Sequence, residues 1–193
     1  MRLFPILPAA MLPLAAMSCG TSVPADPFAG IPGVTYDYYR VTGASAAEIC
    51  RSIDSQRPFD PIEGKSFDAT TQWRIAWHWD GDGAGGCKLD QARGTFAVTV
   101  RLPQLDASGV APAVIRKWRR YDAALRAHEA GHARYAYSRY EDVIAAVRGA
   151  TCASANAAGH AVLDQIRQHN RAYDRATAHG YRTGAMFPAA DQP

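Results

Sequence analysis

His128, Glu129 and His132 stand in the order His-Glu-x-x-His. Residues four apart on an α-helix lie one turn apart on the same face, so the imidazoles at 128 and 132 can turn one nitrogen each toward a single divalent ion. Glu129 projects about 100° around the helix from His128, where it can exchange a proton with an ion-held water without being a ligand itself. Two imidazole nitrogens suit zinc, which acidifies its bound water and polarises a carbonyl while a nearby carboxylate carries protons. The chemistry these residues suit is metal-assisted hydrolysis of an amide, with Zn2+ as cofactor, His128 and His132 as ligands and Glu129 as general base.

An ion on two imidazoles needs at least one more protein donor. A metzincin extension would require Gly and His where Tyr135 and Ser138 stand. Glu141 follows His132 on the same helix and faces the other way, so it cannot reach. The next helix supplies better candidates. If Val147 faces Asn156 across the turn of a helical hairpin, the level of His128 and His132 meets residues about 171–175 of the second helix. Asp174 sits at that level, and His179, about a turn further on, has a long reach. Either can be the third ligand while the other orients a ligand or stabilises developing negative charge. His169 and then His160 lie progressively further the other way and read as polar residues facing solvent.

The elements that must carry these residues fall into two halves. In 34–41 the residues are β-branched and aromatic, which predicts a strand, and Ser45 with Glu48 forms a capping box that opens a helix to about 55. Residues 56–70 are rich in turn formers and read as irregular. In 71–79, Trp73, Ile75, Trp77 and Trp79 alternate with polar or small residues, and in 94–102 Phe96, Val98, Val100 and Leu102 do the same. The two runs pair most simply as antiparallel neighbours across the Gly-rich loop between them. From Pro112, well placed in a first turn, helical spacing continues to about 147, and a second helix covers about 156–179 before Gly180. Residues 107–113 read as loop, and the segment after Gly184 as loop and disorder. Trp118, Tyr121 and Tyr135 could wall a substrate groove, although aromatics at helical spacing are more often core.

Composition agrees with a single folded domain. The chain has 193 residues, 48% hydrophobic and 20% charged, with 21 Lys+Arg against 18 Asp+Glu for a net charge of +3. That balance does not suit a disordered tail or a nucleic-acid-coating protein, and no basic stripe interleaved with stacking aromatics points to nucleic acid. Residues 1–25 read as a signal peptide: Arg2 precedes an apolar stretch broken by Pro5, Pro8 and Pro13 and too short to span a bilayer. Either Ala16-Met17-Ser18-Cys19 acts as a lipobox and lipid on Cys19 attaches the protein to a membrane, or cleavage after Ala25 releases a soluble form. Both place the protein in the bacterial cell envelope or outside it, with the folded domain over 26–187 and a disordered tail at 188–193. Export permits disulfides. Cys87, after the Gly-rich loop, and Cys152, between the two long helices, are the preferred pair, and Cys50 lies on the apolar side of the short helix as a buried thiol. The alternative is a bridge that includes Cys50. Oligomeric state has no signature in the sequence.

The run from Trp118 through His128-Glu129-Ala130-Gly131-His132, followed by Tyr173-Asp174-Arg175-Ala176-Thr177-Ala178-His179-Gly180, resembles a bacterial domain-of-unknown-function family described as predicted secreted zinc-dependent proteases. The likeness extends to the tryptophan-rich strand, the Gly-rich loop ending in Cys87, and Cys152 before an Ala/Asn-rich helix. It implies His128 and His132 as metal ligands and Glu129 as acid/base, and leaves the roles of Asp174 and His179 open. The resulting expectation is an α+β, zincin-like domain: a small antiparallel sheet on a long HExxH helix, closed by a second long antiparallel helix. The expected activity is hydrolysis of a peptide or protein substrate. A silent zincin-like binding protein and a cell-wall peptide amidase using the same site are the alternatives.

Overall fold

The computed structural model describes residues 25–61 and 63–188. The expected leader with Cys19, and the end of the chain from 189, lie outside them. Strand β1 (Val34–Val41) leads into helix α1 (Ala46–Gln56). The capping box is formed: the Glu48 N–H donates to Ser45 Oγ, and Glu48 Oε2 accepts from the Ser45 and Ala44 N–H groups. Two short strands, β2 (Phe59–Asp60) and β3 (Lys65–Ser66), pair as a hairpin within the stretch expected to be irregular. They precede β4 (Thr70–His78) and β5 (Arg93–Leu105).

The main sheet has the order β1-β5-β4. β4 and β5 are antiparallel, with Trp73 opposite Val98 and Ile75 opposite Phe96. β1 runs parallel to β5, with Val34 opposite Val98 and Val41 opposite Leu105. The sheet is therefore mixed, not wholly antiparallel. Alternation decides which side chains face inward but carries no information on strand direction. β1 reaches β5 only after α1, the β2–β3 hairpin and β4, a connection long enough to return the chain in the same sense.

Helix α2 (Pro112–Ser138) packs on the sheet and carries the His-Glu-x-x-His sequence near its middle. It is followed, after Arg139, by α3 (Tyr140–Arg148), so the single helix expected over 112–147 is bent. The Ser138 hydroxyl donates to the Tyr135 carbonyl at 2.8 Å, and the Arg139 N–H reaches back to the Ala136 carbonyl at 3.3 Å. Both bonds span three residues and tighten the turn where the direction changes. Helix α4 (Ala155–Thr177) returns along α3 and α2.

Three apolar clusters hold these layers. The largest joins Val41, Val98, Val100 and Leu102 of the sheet to Ile49 and Ile53 of α1 and to Trp118, Tyr121 and Leu125 of α2. Trp118 and Tyr121 thus belong to the core and not to a groove. Phe187 joins the same cluster, 4% exposed, with its ring 5.7 Å from Trp118 and 5.4 Å from Tyr121. The segment expected to be loose after Gly184 is anchored there, because burying a phenylalanine offsets the cost of ordering a few residues. Ile75, Ala136, Val143, Leu163 and Ile166 join β4 to the helices. The third cluster surrounds the Cys87–Cys152 disulfide, with Leu89, Ala92, Val147 and Ala155. Cys50 is a free thiol, half-buried and not fully buried as expected. Among the described residues no helix is long and apolar enough to cross a membrane.

Candidate metal centre

Register along α2 and α4 brings three side chains together. His128 Nε2 and His132 Nε2 are 3.3 Å apart, and Asp174 Oδ1 lies 3.2 Å from the first and 3.0 Å from the second. These three are a group able to hold a metal ion among the described residues. A tetrahedral zinc with ligands at about 2.0–2.1 Å has edges of about 3.3 Å between ligand atoms, so the triangle has the size of one face of that polyhedron. The donor set, two imidazoles and one carboxylate, is one that divalent ions accept.

Packing as well as hydrogen bonding fixes the rings. His128 Nδ1 is buried without a partner among the described residues. The Tyr173 ring stacks on His128 at 5.0 Å and 16° and meets His132 edge-on at 5.0 Å. Beside His128 lies Gly180, at φ +79°, where a Cβ would come within 3.2 Å of His128 Cγ and 2.6 Å of Ala185. Gly131 has the corresponding role under the tyrosine: its own Cβ would stand 2.8 Å from Tyr173 Oη. A glycine in mid-helix costs about 1 kcal/mol relative to alanine, and here it admits the ring that orients both imidazoles.

Electrostatics draws the three groups together. Burial works to raise the Asp174 carboxyl, but hydrogen bonds from His128 and His132 outweigh it and hold the group well below the usual carboxylate range. Burial opposes protonation of His132, yet its hydrogen bond to Asp174 and the nearby Glu129 carboxylate leave the ring more basic than usual.

Glu129 is 5% exposed and points toward the sheet, where the Thr71 hydroxyl donates to its Oε2 at 2.6 Å. Burial pushes its carboxyl above the ordinary range, against the pull of His132, Thr71 and His128. Thr71 was not singled out from sequence. Its signal was parity, since it shares the inward face of β4 with Trp73 and Ile75.

His179 lies just outside the triangle, its Nδ1 3.8 Å from Asp174 Oδ1 and its ring stacked on Phe67 at 4.6 Å. Helix α4 ends at Thr177, two residues earlier than expected, and Ala178 and His179 both take left-handed backbone, φ 50° and 53°. For non-glycine residues that conformation costs about 1–2 kcal/mol each. It folds the chain back so that the His179 N–H donates to the Asp174 carbonyl at 2.8 Å and the ring overlooks the site. His169 stacks on Tyr135 and His160 meets Trp77, both away from the triangle.

The triangle opens into a cleft of about 600 Å³. Edge strand β4 forms its floor, with Thr71 and Trp73; the β2–β3 hairpin and Phe67 form one wall and α4 the other. A half-buried polar knot supports the hairpin side: Asp68 accepts from Arg57 Nε at 2.5 Å and from Tyr121 Oη at 2.8 Å, while its backbone carbonyl accepts from Tyr39 Oη at 2.7 Å. The aromatic residues of the cleft are Phe59, Phe67 and Trp73, in place of the helical aromatics the sequence had offered.

Residues 36–180 match the family model described as bacterial protein of unknown function, DUF922, and the chain belongs to that family. No curated protein and no solved structure shows significant similarity to it.

Proposed function

We propose that the protein is a zinc-dependent peptidase of zincin-like architecture. The single observation that carries the reading is the mutual approach of His128 Nε2, His132 Nε2 and Asp174 Oδ1 to 3.0–3.3 Å at the base of an open cleft, beside a buried glutamate. The two imidazoles and Asp174 would hold the ion, and His179 stands at the distance of a group that steadies Asp174 or meets bound substrate. Bound zinc would supply an acidified water and a polarised carbonyl.

The chain's own residues account for the remaining tasks. The Thr71 hydroxyl holds Glu129 Oε2 at 2.6 Å and fixes which carboxylate oxygen is left to accept a proton. Burial favours the protonated form of that carboxyl once it has accepted, which suits a group that must pass the proton on to a leaving amine. Edge strand β4 and the two walls position an extended chain over the triangle and limit its exposure to water. Export to the cell envelope, by lipid on Cys19 or as a soluble form, belongs to the same proposal and rests on the sequence of residues 1–25 alone.

Metal analysis combined with a peptide-cleavage assay tests it. Glu129→Gln should retain one zinc per chain and lose about 10²- to 10⁴-fold in kcat, the range of a removed general base. His128→Ala or His132→Ala should lose the metal as well as the activity. Zinc bound stoichiometrically by a parent protein that cleaves no peptide, protein or cell-wall peptide would indicate a binding protein instead.

A further inference from the structure

The α4 wall of the cleft carries positive charge that the three-residue site does not use. Arg167, Asn170, Arg171 and Asp174 all line the cleft. Their spacing puts them on one face of the helix. Arg167 and Arg171 are like charges four residues apart, a pairing that weakens a helix slightly, so helix stability does not explain it. The Arg171 side chain has neither an ion pair nor a hydrogen bond among the described residues. Arg167 donates to Asp164 at 2.7 Å, but these side chains are 47% and 64% exposed and such a pair holds weakly. Its guanidinium also lies 6.0 Å from the ring centroid of Trp73 on the cleft floor. A guanidinium has five N–H donors, so most of both forks remain open to a planar anion.

The opposite rim has the other sign. Glu63 lines the cleft from the hairpin, and Arg57 on that side is paired with Asp54 and Asp68. A carboxylate entering the cleft is drawn toward α4 and repelled from the hairpin, which gives a bound chain a preferred lateral orientation.

We infer that Arg167 and Arg171 form a carboxylate-binding subsite, so that the cleft selects peptides carrying an acidic group beside the bond presented to His128, His132 and Glu129. The cleavage part of this inference rests on the peptidase reading; the binding part does not. The carboxylate can belong to an Asp or Glu side chain or to a free C-terminus, because a guanidinium fork meets the same planar group in each.

The test uses the full chain carrying Glu129→Gln and treated with zinc, so that binding is measured without turnover. Fluorescein-labelled peptides are compared by anisotropy in two matched sets. One replaces Glu by Gln in a C-terminally amidated peptide, and the other exchanges a free C-terminus for an amide in a neutral peptide. The carboxylate member of at least one set should bind about three- to tenfold more tightly. That ratio should fall toward one on adding Arg171→Gln, and further with Arg167→Gln. A preference in the first set assigns the subsite to a side chain and in the second to a chain terminus; either supports the inference. Equal binding within both sets, a preference that survives the double replacement, or no saturable binding by any peptide overturns it. Failure of the parent protein to cleave peptides that the variant binds through Arg171 would overturn the peptidase reading alone.

Discussion

Two imidazoles and a carboxylate within 3.0–3.3 Å of one another form a site whose state depends on protons. In the metal-free protein Asp174 titrates well below its ordinary range and His132 above it. The depressed Asp174 contributes stability above an unfolded pKa of about 3.9, lost as pH falls toward its folded value; the raised His132 contributes fully below about 6.5, lost as pH rises through its folded value. The two contributions coexist from about pH 4 to 6.5. Zinc needs the neutral ring, so it must displace the proton that Asp174 helps His132 to hold. Chelator-competition titrations between about pH 8 and 6 should therefore show zinc affinity falling as pH drops through the raised His132 value, approaching about tenfold per pH unit below it. A flat profile would mean that His132 is not a ligand.

At the scale of elements, the site depends on how closely α4 lies against α2. That contact centres on Gly131 beneath Tyr173, where a methyl group has no room because Tyr173 Oη would be 2.8 Å from it. Gly131→Ala gains about 1 kcal/mol of helix propensity, yet it must displace the ring that orients both imidazoles. The expected net result is a loss of about 1–3 kcal/mol in urea denaturation together with weaker zinc binding. An alanine variant with higher stability and parent-like zinc affinity would show that Tyr173 does not hold the rings. This pairing of helices was legible in the sequence: a short connection forces antiparallel packing, and counting from it sets Asp174 at the level of His128 and His132. The bend after Ser138 was not legible, because apolar periodicity continues through it and the bonds that tighten the turn, from the Ser138 hydroxyl to Tyr135 and from the Arg139 N–H to Ala136, have no periodic signature. The order within 56–70 is hidden from the sequence for another reason. Its strands are only two residues each, too short for any periodicity, and its order comes from Asp68 gripping Arg57 and Tyr121 across the molecule.

Across the whole molecule, local patterns indicated the elements well and their long-range relations less well. The capping box, both tryptophan- and valine-rich strands and the Cys87–Cys152 pair follow from neighbouring residues or from loop positions. The parallel pairing of β1 with β5, and the return of Phe187 onto Trp118 and Tyr121, depend on contacts between distant parts of the chain that no local window contains. The disulfide itself spans 65 residues. Closing a loop of that length restricts the unfolded chain by about 4 kcal/mol on the entropy model. A Cys87→Ser, Cys152→Ser protein should lose stability of about that size in chemical denaturation while binding zinc normally, since the sulfurs pack with Leu89, Ala92, Val147 and Ala155 and not with the cleft. Loss of zinc in a variant that remains folded would show that the two regions are coupled.

Helix α4 is held differently at its two extremities. Cys152 tethers the approach to its first turn covalently, whereas Asp174, close to its last, is drawn in by partners on α2. The far end is held by a covalent bond, and the near end by the contacts of Asp174 and Tyr173 with the two rings. Arg171 rides on the near end. On the proposed reading an ion at Asp174 and an anion at Arg171 would be held by the same helical turn, so occupancy of one position would be felt at the other.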